Sequence, residues 1–93
     1  MTNGEITKVL KVKNRLGLHA RAAAIFVRLS NKFSSDIKLA KDGYKVDGKS
    51  ILGVLSLAAV QGSHIEITAT GVDAEEAIRE IEKLVDSGFG EDT

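Results

Sequence analysis

Alternating apolar and polar side chains predict four strands along the chain. A period of two residues is typical of a strand that buries one face. Between the second and third strands, Asp42-Gly43 stands where a tight hairpin turn is expected. The predicted strands cover residues 8–13, 36–41, a short stretch around Tyr44 and Val46, and 64–70, with Leu10, Val12, Ile37, Leu39, Ile65, Ile67 and Ala69 on their apolar faces.

Apolar side chains spaced three and four residues apart predict two helices between these strands. The first begins near Ala20 and ends near Asn31, and its alanine content favours a helix intrinsically. The second, over residues 50–60, is short and largely buried, although Gly53 weakens it. The expected buried positions are Ala20, Ala23, Ala24 and Val27, extended by Phe26, Leu29 and Ser30, in the first helix, and Val54, Leu57 and Ala58 in the second.

A third helix is predicted near the end of the chain. Asp73 and Glu76 have the spacing of a capping box, in which two side chains satisfy the first free N–H groups of a helix. Val72 and Ala77 are placed as a hydrophobic staple across the same helix start. The apolar stripe of this helix consists of Ala74, Ala77, Ile78, Ile81, Leu84 and Val85.

The order of these elements, β-α-β-β-α-β-α, predicts an α+β fold. Three helices that cover one face of a four-stranded, mostly antiparallel sheet make an open-faced β-sandwich. Residues 1–93 are expected to form a single domain. Its ordered core covers about residues 6–88 with frayed termini, the tail 89–93 included, because Gly88 stands where a glycine caps a helix. The outward residues of the uncovered sheet face are expected to be Lys11, Lys13, Lys38, Glu66 and Thr68.

The composition excludes several classes of protein. Basic and acidic residues both number 13, so the chain lacks the basic excess that is typical of nucleic-acid binders. It has no cysteine, which excludes disulfides and thiolate metal sites. No apolar run approaches the roughly 18 residues of a membrane span, and the polar N-terminus lacks the layout of a secretory signal. We therefore expect a cytoplasmic protein that neither inserts into a membrane nor binds nucleic acid.

The residues with the clearest chemical potential lie where the first strand gives way to the first helix. His19 is expected at or just before the first turn, where free backbone N–H groups and the helix dipole favour an anion. A neutral imidazole is a nucleophile near pH 7, and the guanidinium of Arg21 can pair with phosphate oxygens. These residues describe a phosphoryl acceptor. Taken alone, they also fit an exposed polar cap and a solvated helix charge.

Residues 16–23, Leu-Gly-Leu-His-Ala-Arg-Ala-Ala, closely resemble the active-site signature of the HPr family. That family comprises the histidine-containing phosphocarriers of the bacterial phosphoenolpyruvate-dependent phosphotransferase system. A second stretch, residues 48–57, resembles the regulatory serine region of the same family. Residues 62–71 and the last helix also fit, so the resemblance extends from about residue 6 to residue 85.

The resemblance implies a role for each residue of the first motif. His19 would accept a phosphoryl group on Nδ1 from phosphorylated enzyme I and pass it to IIA domains of sugar permeases. Arg21 would stabilise the group during transfer, and Gly17 would allow a tight turn, with Ala20 and Ala22 in the phosphate-supporting helix start. The chain would then be a carrier, itself the phosphohistidine intermediate, rather than an enzyme. No cofactor and no metal is implied, and a monomer is the expected state.

The second motif implies regulation and partner binding. Ser50 would be phosphorylated by an HPr kinase/phosphorylase at the start of the second helix, where added charge would disfavour partner docking. An ordinary helix N-cap is the competing interpretation of this serine. Ile51, Leu52 and Leu55 would form an apolar partner-binding patch, although some of them could instead belong to the core.

Ala22 departs from the family pattern, which commonly has proline at this position. Alanine keeps an N–H group that proline lacks, so we expect function to survive with an altered anion affinity or helix-start rigidity. The pathway stays open between a sugar branch and a nitrogen branch. Two other classes also stay open: a regulatory module that keeps the fold but transfers little, and a module that binds a small anion. The presence of His19 and Arg21 argues against the regulatory module.

Overall fold

The computed structural model describes residues 4–91, and the predicted order of strands and helices is confirmed. Within these residues, no helix has the length and apolar character needed to cross a bilayer. The elements are β1 (Glu5–Lys11), α1 (Ala20–Ser30), β2 (Asp36–Lys41), β3 (Tyr44–Asp47), α2 (Ile51–Ser56), β4 (His64–Thr70), α3 (Ala74–Asp86) and a 3₁₀ turn (Gly88–Gly90).

The four strands form one antiparallel sheet in the spatial order β1-β4-β2-β3. Strand β4 pairs with β1 along the full length of both strands, and this pairing sets where β1 lies. As a result β1 begins at Glu5 and ends at Lys11, earlier at both ends than the predicted 8–13. Val12 lies beyond the strand yet stays fully buried in the core, and its carbonyl accepts the N–H of Gly62.

The core lies between one face of the sheet and the helices. The predicted inward strand residues are all buried, as Ile37 and Ile65 illustrate with no exposed surface. On α1 the prediction is partly wrong, since Ala20 is exposed and Ala24 is only half-buried. The buried face of α1 is instead rotated toward Ala22, so that this helix contributes Ala22, Ala23, Phe26, Val27 and Ser30 to the core.

The second helix is shorter than predicted, and its early end shapes the candidate site. Helix α2 ends at Ser56, and Ala58 adopts a left-handed backbone with φ of 49°. Ala58 is therefore exposed rather than buried, whereas Leu57 and Ala59 are buried. The turn brings the carbonyl of Ala59 to the loop before α1, where it accepts the N–H of Leu18 at 2.9 Å.

Asp73 binds a distant turn instead of capping α3. Its carboxylate accepts hydrogen bonds from the backbone N–H groups of Ser34 and Ser35 and from the hydroxyl of Ser35. Led by the Ser35 hydroxyl, these bonds lower the pKa of Asp73 to about 2. The predicted capping box is wrong because Asp73 makes no cap bond, and the predicted staple is wrong because Val72 is exposed.

The end of the described chain returns to the start of α1. Phe89 is only 4% exposed and packs in the core, one residue beyond the predicted end of the ordered core at residue 88. No periodic pattern predicts this burial, because the helical period stops before Gly88, whereas Phe89 enters the core through a turn with a φ of 58°. The predicted frayed positions 1–3 and 92–93 lie outside the described residues.

Candidate functional site

His19 is the residue at which the loop after β1 becomes helix α1. It occupies the N-cap position with an extended backbone, and its carbonyl accepts the first helical hydrogen bond, from the N–H of Ala23 at 2.8 Å. Its imidazole does not cap the helix and is 27% exposed. The ring therefore lies at the helix N-terminus, partly open to solvent.

Gly17 packs this loop closely against the segment after α2. Its φ of +67° is a left-handed conformation that glycine adopts without steric cost. The backbone of Ala59 and Val60 approaches so closely that a β-carbon on Gly17 would meet the Ala59 carbonyl oxygen at 2.3 Å. The N–H of Gly17 donates to the Asn14 carbonyl at 3.2 Å. Gly17 thus positions His19 through the turn, with its own N–H already engaged.

The start of α1 carries backbone donors without acceptors. Among residues 4–91, the N–H groups of Ala20, Arg21 and Ala22 have no hydrogen-bond acceptor, as expected for the first turn of a helix. Ala20 and Arg21 are exposed, whereas Ala22 is fully buried. Free donors and the positive end of the helix dipole together favour an anion beside His19.

A cleft surrounds the imidazole and is rich in positive charge. The guanidinium groups of Arg15 and Arg21 both lie on exposed residues, and the carboxylate of Glu91 is the acidic group among the lining residues. The cleft is lined by Arg15, Leu16, His19, Arg21, Gly90 and Glu91. Such a lining suits a group that carries several negatively charged oxygens.

Glu91 and Asn14 complete the site from opposite ends of the chain. One carboxylate oxygen of Glu91 contacts Nε2 of His19, and the other accepts a hydrogen bond from the Asn14 amide at 3.0 Å. Asn14 is fully buried and also donates to the Gly17 carbonyl at 2.8 Å. The hydrogen bonds from Asn14 and then His19, with a smaller contribution from the positive charge of Arg21, lower the pKa of Glu91.

Sequence reasoning missed both of these residues. Asn14 has the ordinary appearance of a turn residue after a strand, and only its burial at the site distinguishes it. Glu91 lies 72 positions from His19 and belongs to a tail without periodicity, so no local pattern in the sequence could have indicated it.

The other histidine, His64, is exposed at the start of β4. Within residues 4–91, no group of three His, Cys, Asp or Glu side chains could hold a metal ion.

Ser50 and the predicted patch of Ile51, Leu52 and Leu55, which we call the α2 patch, lie at the neighbouring helix α2, which packs against α1. Ser50 is the N-cap of α2, and its hydroxyl accepts the N–H of Gly53 at 3.1 Å. Ile51 and Leu52 are exposed, Leu52 to 80% of its surface. Leu55 is half-buried and packs against the core, so it contributes less open surface to the α2 patch than the sequence suggested.

The chain is similar to known proteins over most of its length. A family described as "PTS HPr component phosphorylation site" matches residues 6–87. Phosphocarrier protein HPr of Treponema pallidum is 40% identical and aligns over 94% of this chain and 99% of its own length. HPr-like protein Crh of Bacillus subtilis is 41% identical, over 86% of this chain and 94% of its own.

Solved structures share the fold as well. The crystal structure of HPr-C-His from Thermoanaerobacter tengcongensis has a TM-score of 0.88 and 47% identity, and covers 97% of this chain and 99% of its own. A second structure from that organism is described as an HPr dimer, with a TM-score of 0.75 and 49% identity, over 88% of this chain and 94% of its own.

Proposed function

This chain belongs to the HPr family of the phosphotransferase system, and on that premise we propose that His19 is its phosphoryl acceptor. The group comes from phosphorylated enzyme I and goes on to IIA domains of sugar permeases. The protein is then a carrier that becomes the phosphohistidine intermediate. The observation that carries this proposal is the position of the His19 ring at the start of α1, beside free backbone donors and Arg21.

The proposed transfer exchanges one bond to phosphorus for another. The lone pair on Nδ1 of His19 attacks the phosphorus atom, and the bond between phosphorus and the donor atom of enzyme I breaks. Nδ1 makes no hydrogen bond to any residue from 4 to 91, so it is available for this attack. The free N–H groups at the start of α1 and the guanidinium of Arg21 stabilise the charged oxygens during transfer.

The test measures both the gain of a phosphoryl group by the protein and its later loss to a second acceptor. With radiolabelled phosphoenolpyruvate and enzyme I, the chain is expected to gain label and then lose it when an unlabelled IIA domain is added. His64→Ala, which removes the exposed histidine on β4, is the matched control and should behave like wild type. Label that never leaves the chain would contradict the carrier role, and label that survives His19→Ala would contradict the site.

Ser50 and the α2 patch belong to the same proposal as regulatory and docking elements. Ile51 and Leu52 present apolar surface on the helix that packs against α1, which supports a docking role. Phosphorylation of Ser50 by an HPr kinase/phosphorylase would place a double negative charge at that surface and weaken docking. The cap bond from Gly53 to Ser50 is compatible with this role, since a phosphate at a helix start is also favoured by the dipole.

A regulatory module is the second candidate function. Its support is the 41% sequence identity between this chain and HPr-like protein Crh. This value is close to the 40% identity between this chain and the phosphocarrier protein HPr of Treponema pallidum. Overall similarity therefore does not separate the two roles, whereas His19 and Arg21 favour transfer.

We further propose that the protein is a cytoplasmic monomer. Sedimentation of the purified chain tests the monomer, and a sedimenting dimer would contradict it.

A further inference from the structure

We propose that Glu91 is a positioning residue for His19, holding the imidazole so that Nε2 carries the proton and Nδ1 presents its lone pair to the incoming phosphorus. This inference rests on the proposed function, because it explains how the accepting nitrogen is selected. It also makes a separate statement about the resting protein, namely which ring nitrogen is protonated.

The argument starts from what an ionised carboxylate can do. The oxygens of an ionised carboxylate accept hydrogen bonds and cannot donate them. Glu91 Oε2 lies 2.5 Å from Nε2 of His19, within hydrogen-bond distance. A neutral imidazole has one N–H donor and one acceptor nitrogen, so a bond to this oxygen requires the proton on Nε2. The lowered pKa of Glu91 agrees with an ionised carboxylate at neutral pH.

The carboxylate is held in place from two directions. Asn14, which is fully buried, uses one amide group to bridge the Gly17 carbonyl and Glu91 Oε1. Phe89, two residues before Glu91, is buried in the core and anchors the chain segment that carries the carboxylate. Glu91 itself is only 14% exposed in its side chain. A fixed partner of this kind sets both the tautomer and the orientation of a histidine ring.

The arrangement also balances the proposed reaction. When Nδ1 forms its bond to phosphorus, no proton has to leave, because the proton on Nε2 stays where it is. The ring then has substituents on both nitrogens and carries a positive charge, which the carboxylate of Glu91 neutralises at short range. When the group leaves for the next acceptor, the lone pair returns to Nδ1 and the ring is neutral again.

The experiment uses the full chain and two substitutions, Glu91→Ala and Glu91→Gln. Asp86→Ala is the matched control, since it removes a carboxylate from the same end of the chain that pairs with Lys13 rather than with His19. A His64→Ala background leaves His19 as the only imidazole. Two quantities are measured: the Nε2–H signal of His19 in ¹H–¹⁵N spectra at neutral pH, and the rate of phosphoryl transfer from enzyme I.

In the wild type and in Asp86→Ala, a protected Nε2–H signal is expected. In Glu91→Ala this signal should be lost and the transfer rate should fall about 10-fold, the lower end of what loss of a histidine-orienting partner costs in metal sites. Glu91→Gln, which keeps the size of the side chain, should change both quantities in the same direction by less. If both Glu91 variants keep the signal or the wild-type rate, the inference is wrong. A wild type that takes no phosphoryl group would instead contradict the proposed function, and the spectra would still decide the tautomer.

Discussion

The carbonyl oxygen of Ala59 lies 2.3 Å from the point where a β-carbon on Gly17 would stand. Gly17 also has a φ of +67°, so any side chain there meets both steric crowding and backbone strain. This contact joins the loop that carries His19 to the segment after α2. The position of the imidazole therefore depends on the absence of a side chain two residues earlier.

Gly17→Ala should lower the free energy of unfolding by about 3 kcal/mol, from left-handed strain plus overpacking. It should also slow phosphoryl transfer, because the loop must move away from Ala59. Urea denaturation and the transfer assay measure the two effects. Gly43→Ala is the matched control, since Gly43 has a φ of +83° with open space around it. If the two variants lose equal stability, crowding by Ala59 has no role.

Arg21→Ala should reduce the rate of transfer from enzyme I by about 100-fold, as expected when one donor to a developing anion is removed. The fold should be unchanged, because Arg21 is exposed and makes no hydrogen bond or salt bridge to residues 4–91 that the fold would lose. Arg28→Ala removes an exposed arginine from the last turn of the same helix and should transfer at the wild-type rate. Equal rates in the two variants would exclude Arg21 from the mechanism.

Two substitutions at Ser50 separate its role as a helix cap from the effect of negative charge on partner docking. Ser50→Ala removes the bond to the Gly53 N–H and should cost about 1 kcal/mol of stability while leaving transfer intact. Ser50→Asp keeps a good capping group and adds negative charge, so it should keep the stability but weaken coupling to enzyme I. Titration of enzyme I against each variant, together with thermal unfolding, separates the two effects. If Ser50→Asp couples as wild type does, charge at this helix start does not regulate docking.

Asp73 should make the free energy of unfolding depend on pH in the acidic range. Its pKa is about 2 in the folded protein against 3.8 ordinarily, so folding favours the ionised form. The resulting stabilisation is complete above the ordinary pKa and is lost as the pH falls from about 4 towards 2. Asp73→Asn should therefore be less stable than wild type at pH 7, and the difference should shrink in acid. Asp42→Asn, at an exposed turn, should show no such difference in urea denaturation across the same pH range.

Local patterns predicted the fold well where one face of an element decides its burial. The alternation of apolar and polar residues predicted the observed bounds of β2 and β4. This succeeded because the inward residues of both strands, such as Leu39 and Ile67, are buried in the same core. The same reasoning misplaced the end of α2, since the left-handed turn at Ala58 follows from packing against the Gly17 loop rather than from its own sequence.

Long-range contacts explain the remaining misses. Asp73 has the local spacing of a capping box, but Ser34 and Ser35, more than 35 positions away, offer three donors to the same carboxylate. At the candidate site, the position of His19 and Arg21 at the start of α1 was predictable, because the change of period and the motif lie in one short segment. Asn14 and Glu91 were not, since only the folded chain brings the tail to the imidazole.

The mass of the intact protein after incubation with enzyme I, phosphoenolpyruvate and Mg²⁺, read before and after mild acid, tests the central claim most directly. We predict a gain of one phosphoryl group that acid removes and that His19→Ala abolishes. A known carrier labelled in the same experiment shows that the enzyme I is competent. No gain in mass beside that labelled carrier, or an acid-labile gain that persists in His19→Ala, would contradict the assignment of His19 as the phosphoryl acceptor.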